Sequence, residues 1–301
     1  MAAVISHIFS STAITSLGLY HLICTTRNHL KSPPNYISKP YHPFPLISSP
    51  TSHLRFLQLY LLISSLLISL THQTLISFDA DPLLKGSTPV HQFTSYQSVA
   101  VIFLFLILSI SLLIAETTSL LPFPSDLFFA IASAVFYLQF SVSDSSGSVQ
   151  TSDLQAKCDF VSARISALSS ILCLLLAVQP KLFVADVGLG ASLCLQGLWV
   201  LQTGLTLYVE AFIPEGCHRL LDVVKGVEGS TKCDLEDSRL RAVAILDLVF
   251  VIHVMFVVVI VMVTYAVVAK SVGIRRAGSY EALSTGEANH FQMKALEGTQ
   301  A

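Results

Sequence analysis

Charge is the scarcest commodity in this 301-residue chain: Asp, Glu, Lys and Arg make up 12% of it, against about 25% in a soluble globular domain. A water-solvated surface is poorly served by so little charge, and the composition counts against a water-soluble domain. The net charge of -2 at pH 7 and the lack of any basic stripe leave no field for nucleic acid. HExxH, HxxxH and CxxC spacings are missing, so no standard metal motif is present. No Lys or Arg precedes the first apolar run, so it lacks the basic start of a cleaved signal peptide and reads as a mature span. There is no Asn-x-Ser/Thr sequon to mark a luminal loop.

What fills the chain instead is apolar: 53% of residues, gathered in runs too long for one soluble core. Seven runs read as spans, at about 3–24, 54–76, 93–114, 127–142, 160–178, 182–208 and 243–269. The fold class is therefore all-α, a polytopic transmembrane bundle of about seven helices in a single domain, with the lipid bilayer as its principal partner. The fourth run is the shortest and suits either a short span or a re-entrant helix. Between runs, residues 26–53 carry six prolines and read as an extended linker. Residues 143–153 (SDSSGSVQTSD) read as a flexible polar loop, and residues 270–301 as a disordered cytosolic tail.

Basic residues favour the cytoplasmic face, but with the N-terminus outside they divide nine against eight and decide nothing. Two local features set the expectation. Lys270, Arg275 and Arg276 follow the last span, and Cys217 and Cys233 share the loop before it. A disulfide there requires a non-cytosolic loop, whereas two free thiols would suit the cytosol. The C-terminus is expected inside, in an endomembrane or plasma-membrane protein.

Four stripes carry the candidate interior. His7, Ser11, Ile14, Gly18 and His21 share one face of the first helix. His7 and His21 are about 21 Å apart at 1.5 Å per residue, too far to share an ion, so they read as bundle-facing histidines bonded to neighbours. Ser162, Ser166, Ser169 and Cys173 give the fifth helix a small-residue packing face, and Arg164 near its start reads as snorkelling to the interface. On the sixth helix Gly190, Gly197 and Gly204 recur every seven residues and form a groove for another helix. Gln196, Trp199, Gln202 or Thr203, and Thr206 form a polar stripe that must face the bundle interior. In the seventh helix Asp247 and His253 point in different directions, so Asp247 needs a partner elsewhere, Arg164 or a bundle histidine. In the tail, Tyr280 to Leu283 has the form that sorting adaptors read, and Ser279 sits where basophilic kinases act.

The run LQGLWVLQTGLTLYVEAFIPEGCHR, then Cys233 and LRAVAILDLVF, resembles the transmembrane protein 45 family, multi-pass proteins of animals and plants whose domain has no established activity. His7 with Gly18-Leu19-Tyr20-His21 is similar to that family's opening pattern. The resemblance implies a seven-helix bundle and a paired Cys217 and Cys233, but no established activity; no cofactor is expected. This chain departs from the pattern: Ser6-His7 and Ser10-Ser11 replace an early Gly-His and Pro-Gly, and no histidine lies between the fourth and fifth spans. It reads as a divergent, plant-type member.

The expected function is non-enzymatic: a scaffold, a trafficking factor or a transport-related bundle. Two alternatives belong to other classes. A metal-dependent intramembrane hydrolase would use His7, His21, His91 and Asp247; a small-solute or ion transporter would line its path with Gln196, Gln202, Arg164 and Asp247.

Overall fold

The computed structural model describes residues 2–43, 56–78, 90–118, 122–150, 152–222 and 227–272. Tyr280 and Leu283 lie outside them. Among the described residues, seven long helices make the architecture: α1 (Ala2–Lys31), α2 (Leu57–Phe78), α3 (Val90–Thr117), α4 (Ser125–Val149), α5 (Asp153–Val178), α6 (Phe183–Tyr208) and α7 (Glu236–Val272). Six of them, all but α2, are long and apolar enough to cross a membrane. The chain is an all-α polytopic bundle. In α7 burial is confined to Ala242, Leu246, Val257 and Val268, while Met255, Phe256 and Met262 are exposed. A helix that is apolar all round and uncovered by protein is solvated by lipid.

The pairs α1–α6, α4–α5 and α5–α6 run antiparallel and pack through small residues. α1 lies along α6: His7 meets Gly204, Thr15 meets Gly197, and Leu22 meets Gly190. The glycine groove expected on the sixth helix is thus filled by the first. A Cβ on Gly197 would stand 2.7 Å from the Thr15 backbone nitrogen, so only a residue without one admits so close an approach. α4 and α5 are tied by reciprocal bonds, the Ser133 hydroxyl donating to the Ser170 carbonyl at 2.9 Å and the Ser170 hydroxyl to the Ser133 carbonyl at 2.8 Å. α5 and α6 meet at Ser169 and Ser192, whose hydroxyls are 2.9 Å apart.

Two loops differ from expectation. The fourth helix is a full 25 residues and continues through the Ser-rich stretch read as a flexible loop. Contact with α5 overrides the poor helix propensity of that stretch: Ser143 and Gly147 are buried, and Ser146 and Gln150 both donate to Asp159. Nor is the proline-rich segment after α1 an extended linker where it is described. α1 runs to Lys31, Pro33–Asn35 forms one 3₁₀ turn, and Tyr36, Ser38, Tyr41 and His42 are buried against the bundle.

The loop between α6 and α7 contains an antiparallel hairpin, β1 (Cys217–Asp222) and β2 (Val227–Cys233), closed at its base by the Cys217–Cys233 disulfide. Gly216, which enters it, has φ +81°, a left-handed conformation that favours glycine. The Ser152 hydroxyl donates to the Thr231 carbonyl at 2.5 Å, anchoring the hairpin to the start of α5. With alternating helix directions, the hairpin marks one end of the bundle, and the turn between α5 and α6 the other.

Candidate functional site

At the end opposite the hairpin, a carboxylate is enclosed. Asp186 lies in the first turn of α6 and is 0% exposed. Placing an acid there is locally favourable, because the unsatisfied N–H groups of a helix start carry partial positive charge. Its position in the bundle, however, removes water from it completely, so donors from the protein must replace hydration. His21 of α1 donates from Nε2 to Asp186 Oδ1 at 2.7 Å. A carboxylate only accepts, so that nitrogen carries the hydrogen. Thr25, one turn further along α1, donates to Oδ2 at 3.4 Å. The Tyr36 hydroxyl, brought back by the segment after α1, donates to the same oxygen. Three donors from two stretches of chain thereby converge on one side chain.

Around this hub the segment is fixed by further contacts. The Ser38 amide donates to the Pro180 carbonyl at 2.7 Å, pinning it to the turn between α5 and α6. Tyr20 donates its hydroxyl to the His42 carbonyl at 3.0 Å, and the Asn28 amide lies 3.3 Å from His42 Nδ1. The His29 ring stacks on Phe183 with centroids 3.9 Å apart, and Tyr36 stands edge-on to both. The rings of His42 and His21 are 5.5 Å apart.

Two side chains here lie outside the helices and respond to the enclosure. Burial pushes the Tyr36 phenol well above its usual range, and the adjacent Asp186 charge adds to the effect. Burial likewise pushes His42 down to about 4, helped by the positive charge available to His21 and by Lys39 and opposed by Asp186. His42 is therefore neutral at ordinary pH, and its buried Nε2 has no hydrogen-bond partner among the described residues. The cluster is suited to holding one negative charge against several donors. Among the described residues, no three His, Cys, Asp or Glu side chains gather closely enough to bind a metal ion.

The candidate residues read from sequence fall in different places. His21 belongs to the hub; Asp186, Tyr36, Thr25 and His42 were not singled out. An acid inside an otherwise uncharged apolar helix is the signal that points to Asp186, because such a group is costly unless it is partnered. His7 sits near the other end, its ring 5.4 Å from Tyr208. Gln196 donates to Ser162 at 2.8 Å, Trp199 donates to the Cys158 carbonyl at 3.0 Å, and Gln202 donates to Thr206 on its own helix at 2.9 Å. Trp199 is 0% exposed and packs edge-on to Phe250 and His253 of α7. His253 donates to the Val249 carbonyl at 2.7 Å.

Asp247 corrects one expectation: its partner is Lys157 at 2.6 Å, not Arg164 or a histidine. Arg164 is exposed on α5, seven residues beyond Lys157. Both positions share a face, and it is depth along the helix that selects Lys157. The residues proposed for a hydrolase do not converge either. His7 and His21 are fourteen residues apart along α1, Asp247 is paired with α5, and the His91 side chain lies outside the described residues.

No curated protein matches the chain. Residues 125–266, from the start of α4 to most of α7, match the model of a family of unknown function (DUF716), the domain of the transmembrane protein 45 family.

Proposed function

We propose that the whole chain is a divergent member of the transmembrane protein 45 family and acts as a non-enzymatic membrane scaffold. The observation that carries this reading is where the interior polar groups go. Asp186 is engaged by His21, Thr25 and Tyr36, and the stripe of Gln196, Trp199 and Gln202 is engaged by α5 or by its own helix. Side chains so engaged hold helices together, and among the described residues the buried Gln196 oxygen without a partner is one acceptor, not a row leading a solute through the bundle. In this reading the disulfide-bearing hairpin faces the oxidising, non-cytosolic side. The Asp186 end and the tail with Tyr280 and Leu283 then face the cytosol, where a sorting adaptor reads the tail in an endomembrane or plasma-membrane protein.

A flux measurement separates scaffold from transporter. Wild-type protein and the Asp186→Asn and Gln196→Ala variants are reconstituted into liposomes loaded with a pH-sensitive dye. The scaffold reading expects leak equal to empty vesicles for all three, with lower melting temperatures for both variants. A proton or cation flux in the wild type that either variant abolishes would overturn it.

A further inference from the structure

Beside the hub, the bundle surface opens into an apolar cleft. A cavity of about 360 Å³ lies between α1, α6 and α7, walled by Leu22 and Thr26, by Phe183 and Val187, and by Val261 and Tyr265. Its volume falls within the range of small-ligand pockets. Its surface is almost wholly carbon, so ordered water has too few partners to fill it. All three helices are among those able to cross a membrane, and Tyr265 is 45% exposed at the rim. What surrounds the opening is therefore lipid, and the side chains favour an acyl chain over a peptide or polar solute.

The charges at this end choose among lipids. Arg27 follows Thr26, Lys181 precedes Phe183 by two residues, and Lys270 lies five residues beyond Tyr265. At 1.5 Å per residue, Arg27 and Lys270 are each within two helical turns of the cavity wall, and Lys181 lies in the turn that leads into α6. Among the described residues, the acids at this end do not neutralise them. Asp186 is enclosed by its own donors, while Glu116 and Asp126 sit on α3 and α4, whose main packing partners are α2 and α5. An apolar slot below a group of cations fits a lipid with an anionic headgroup.

We propose that the cleft between α1, α6 and α7 is a binding site for one anionic glycerophospholipid, its acyl chain in the cavity and its phosphate toward Arg27, Lys181 and Lys270. The site does not depend on the scaffold reading and is tested separately from flux. The purified full chain is released from nanodiscs of mixed phosphatidylcholine and phosphatidylglycerol, and the lipid it retains is identified by native mass spectrometry. The wild type should keep one phosphatidylglycerol in preference to phosphatidylcholine. Val261→Phe, which fills the cavity, should lose the retained lipid, whereas Leu248→Phe on the exposed face of the same helix should keep it. Lys181→Gln and Lys270→Gln should each lower the preference for the anionic lipid about fivefold, the equivalent of the roughly 1 kcal/mol one basic side chain adds near an anionic surface. If Val261→Phe does not fold, Val187→Phe fills the same space from the opposite wall. Equal retention of both lipids by the wild type, or retention unchanged in the filled variant, would overturn the proposal.

Discussion

Replacing Gly197 by alanine tests whether α1 truly occupies the glycine groove of α6. The new Cβ would stand 2.3 Å from Thr15 Oγ1, 2.7 Å from the Thr15 backbone nitrogen and 3.0 Å from the Ser11 carbonyl oxygen. A hydroxyl can rotate away, but a backbone cannot. To restore an ordinary separation of about 3.5 Å, α1 must retreat by about 0.8 Å along a contact that runs from His7 to Leu22. Overpacking of that kind costs about 1–3 kcal/mol, and the backbone contacts place this site near the upper figure. Alanine's better helix propensity returns up to about 1 kcal/mol, leaving a net loss of about 2 kcal/mol. Gly188 supplies the contrast on the same helix. Its Cβ would meet only the tip of Leu172, at 3.2 Å, so Gly188→Ala should be neutral or slightly stabilising. Thermal unfolding in detergent can be followed through Trp199, the single tryptophan, which is fully buried between α5, α6 and α7. Gly197→Ala should lower Tm by on the order of 5 °C while Gly188→Ala does not lower it. If the two variants melt alike, or if Gly197→Ala melts at or above the wild type, α1 does not lie in the groove.

Two more outcomes follow from named contacts. Lys157→Asp or Asp247→Lys alone leaves like charges facing each other near the membrane boundary and should cost about 1–2 kcal/mol, less than an unpaired charge at mid-bilayer. The combined swap should restore the expression lost in each single variant, as read by detergent-extracted yield, and the corresponding Arg164 and Asp247 swap should not. His42 supplies a pH dependence: its ordinary value near 6.5 falls to about 4 in the folded chain. Between those limits the unfolded chain binds a proton that the folded chain does not, so stability is complete above about pH 6.5 and falls as the pH drops toward 4, by at most about 3 kcal/mol. Limited proteolysis near residues 38–43 should quicken across that window, and a His42→Gln variant should lack the dependence.

The helices were legible because lipid-solvated segments must be long, apolar and uninterrupted, and that demand is written in composition. The glycine repeat at 190, 197 and 204 was legible as a groove for the same local reason. Which helix fills it was not, since a seven-residue repeat fixes a face and says nothing of the partner. Residues 143–149 misled because Ser and Gly are weak helix formers in water, and only burial against Asp159 and Phe160 makes the helix favourable there. Prolines hid the segment after α1 in the same way. They set its backbone, but Tyr36, Tyr41 and His42 among them were the sign that it packs. Asp186 escaped notice at a helix start, where an acid commonly faces water; its enclosure depends on His21 and Tyr36, 165 and 150 residues away. Asp247 was paired with the wrong cation for a related reason, since the register between α5 and α7 is tertiary information.

Everything distinctive about this end of the bundle rests on Asp186 holding the segment after α1 in place. Hydrogen exchange across residues 33–43 in the full chain, compared with an Asp186→Ala variant, measures that hold directly. The carboxylate serves donors from His21, Thr25 and Tyr36, and removing it from buried donors costs about 3–5 kcal/mol. The Ser38 amide, bonded to the Pro180 carbonyl, should therefore be protected in the wild type and exchange at least about 100-fold faster in the variant, with the interior of α6 still protected. Rapid exchange of Ser38 in the wild type, or protection that survives the loss of Asp186, would contradict the account.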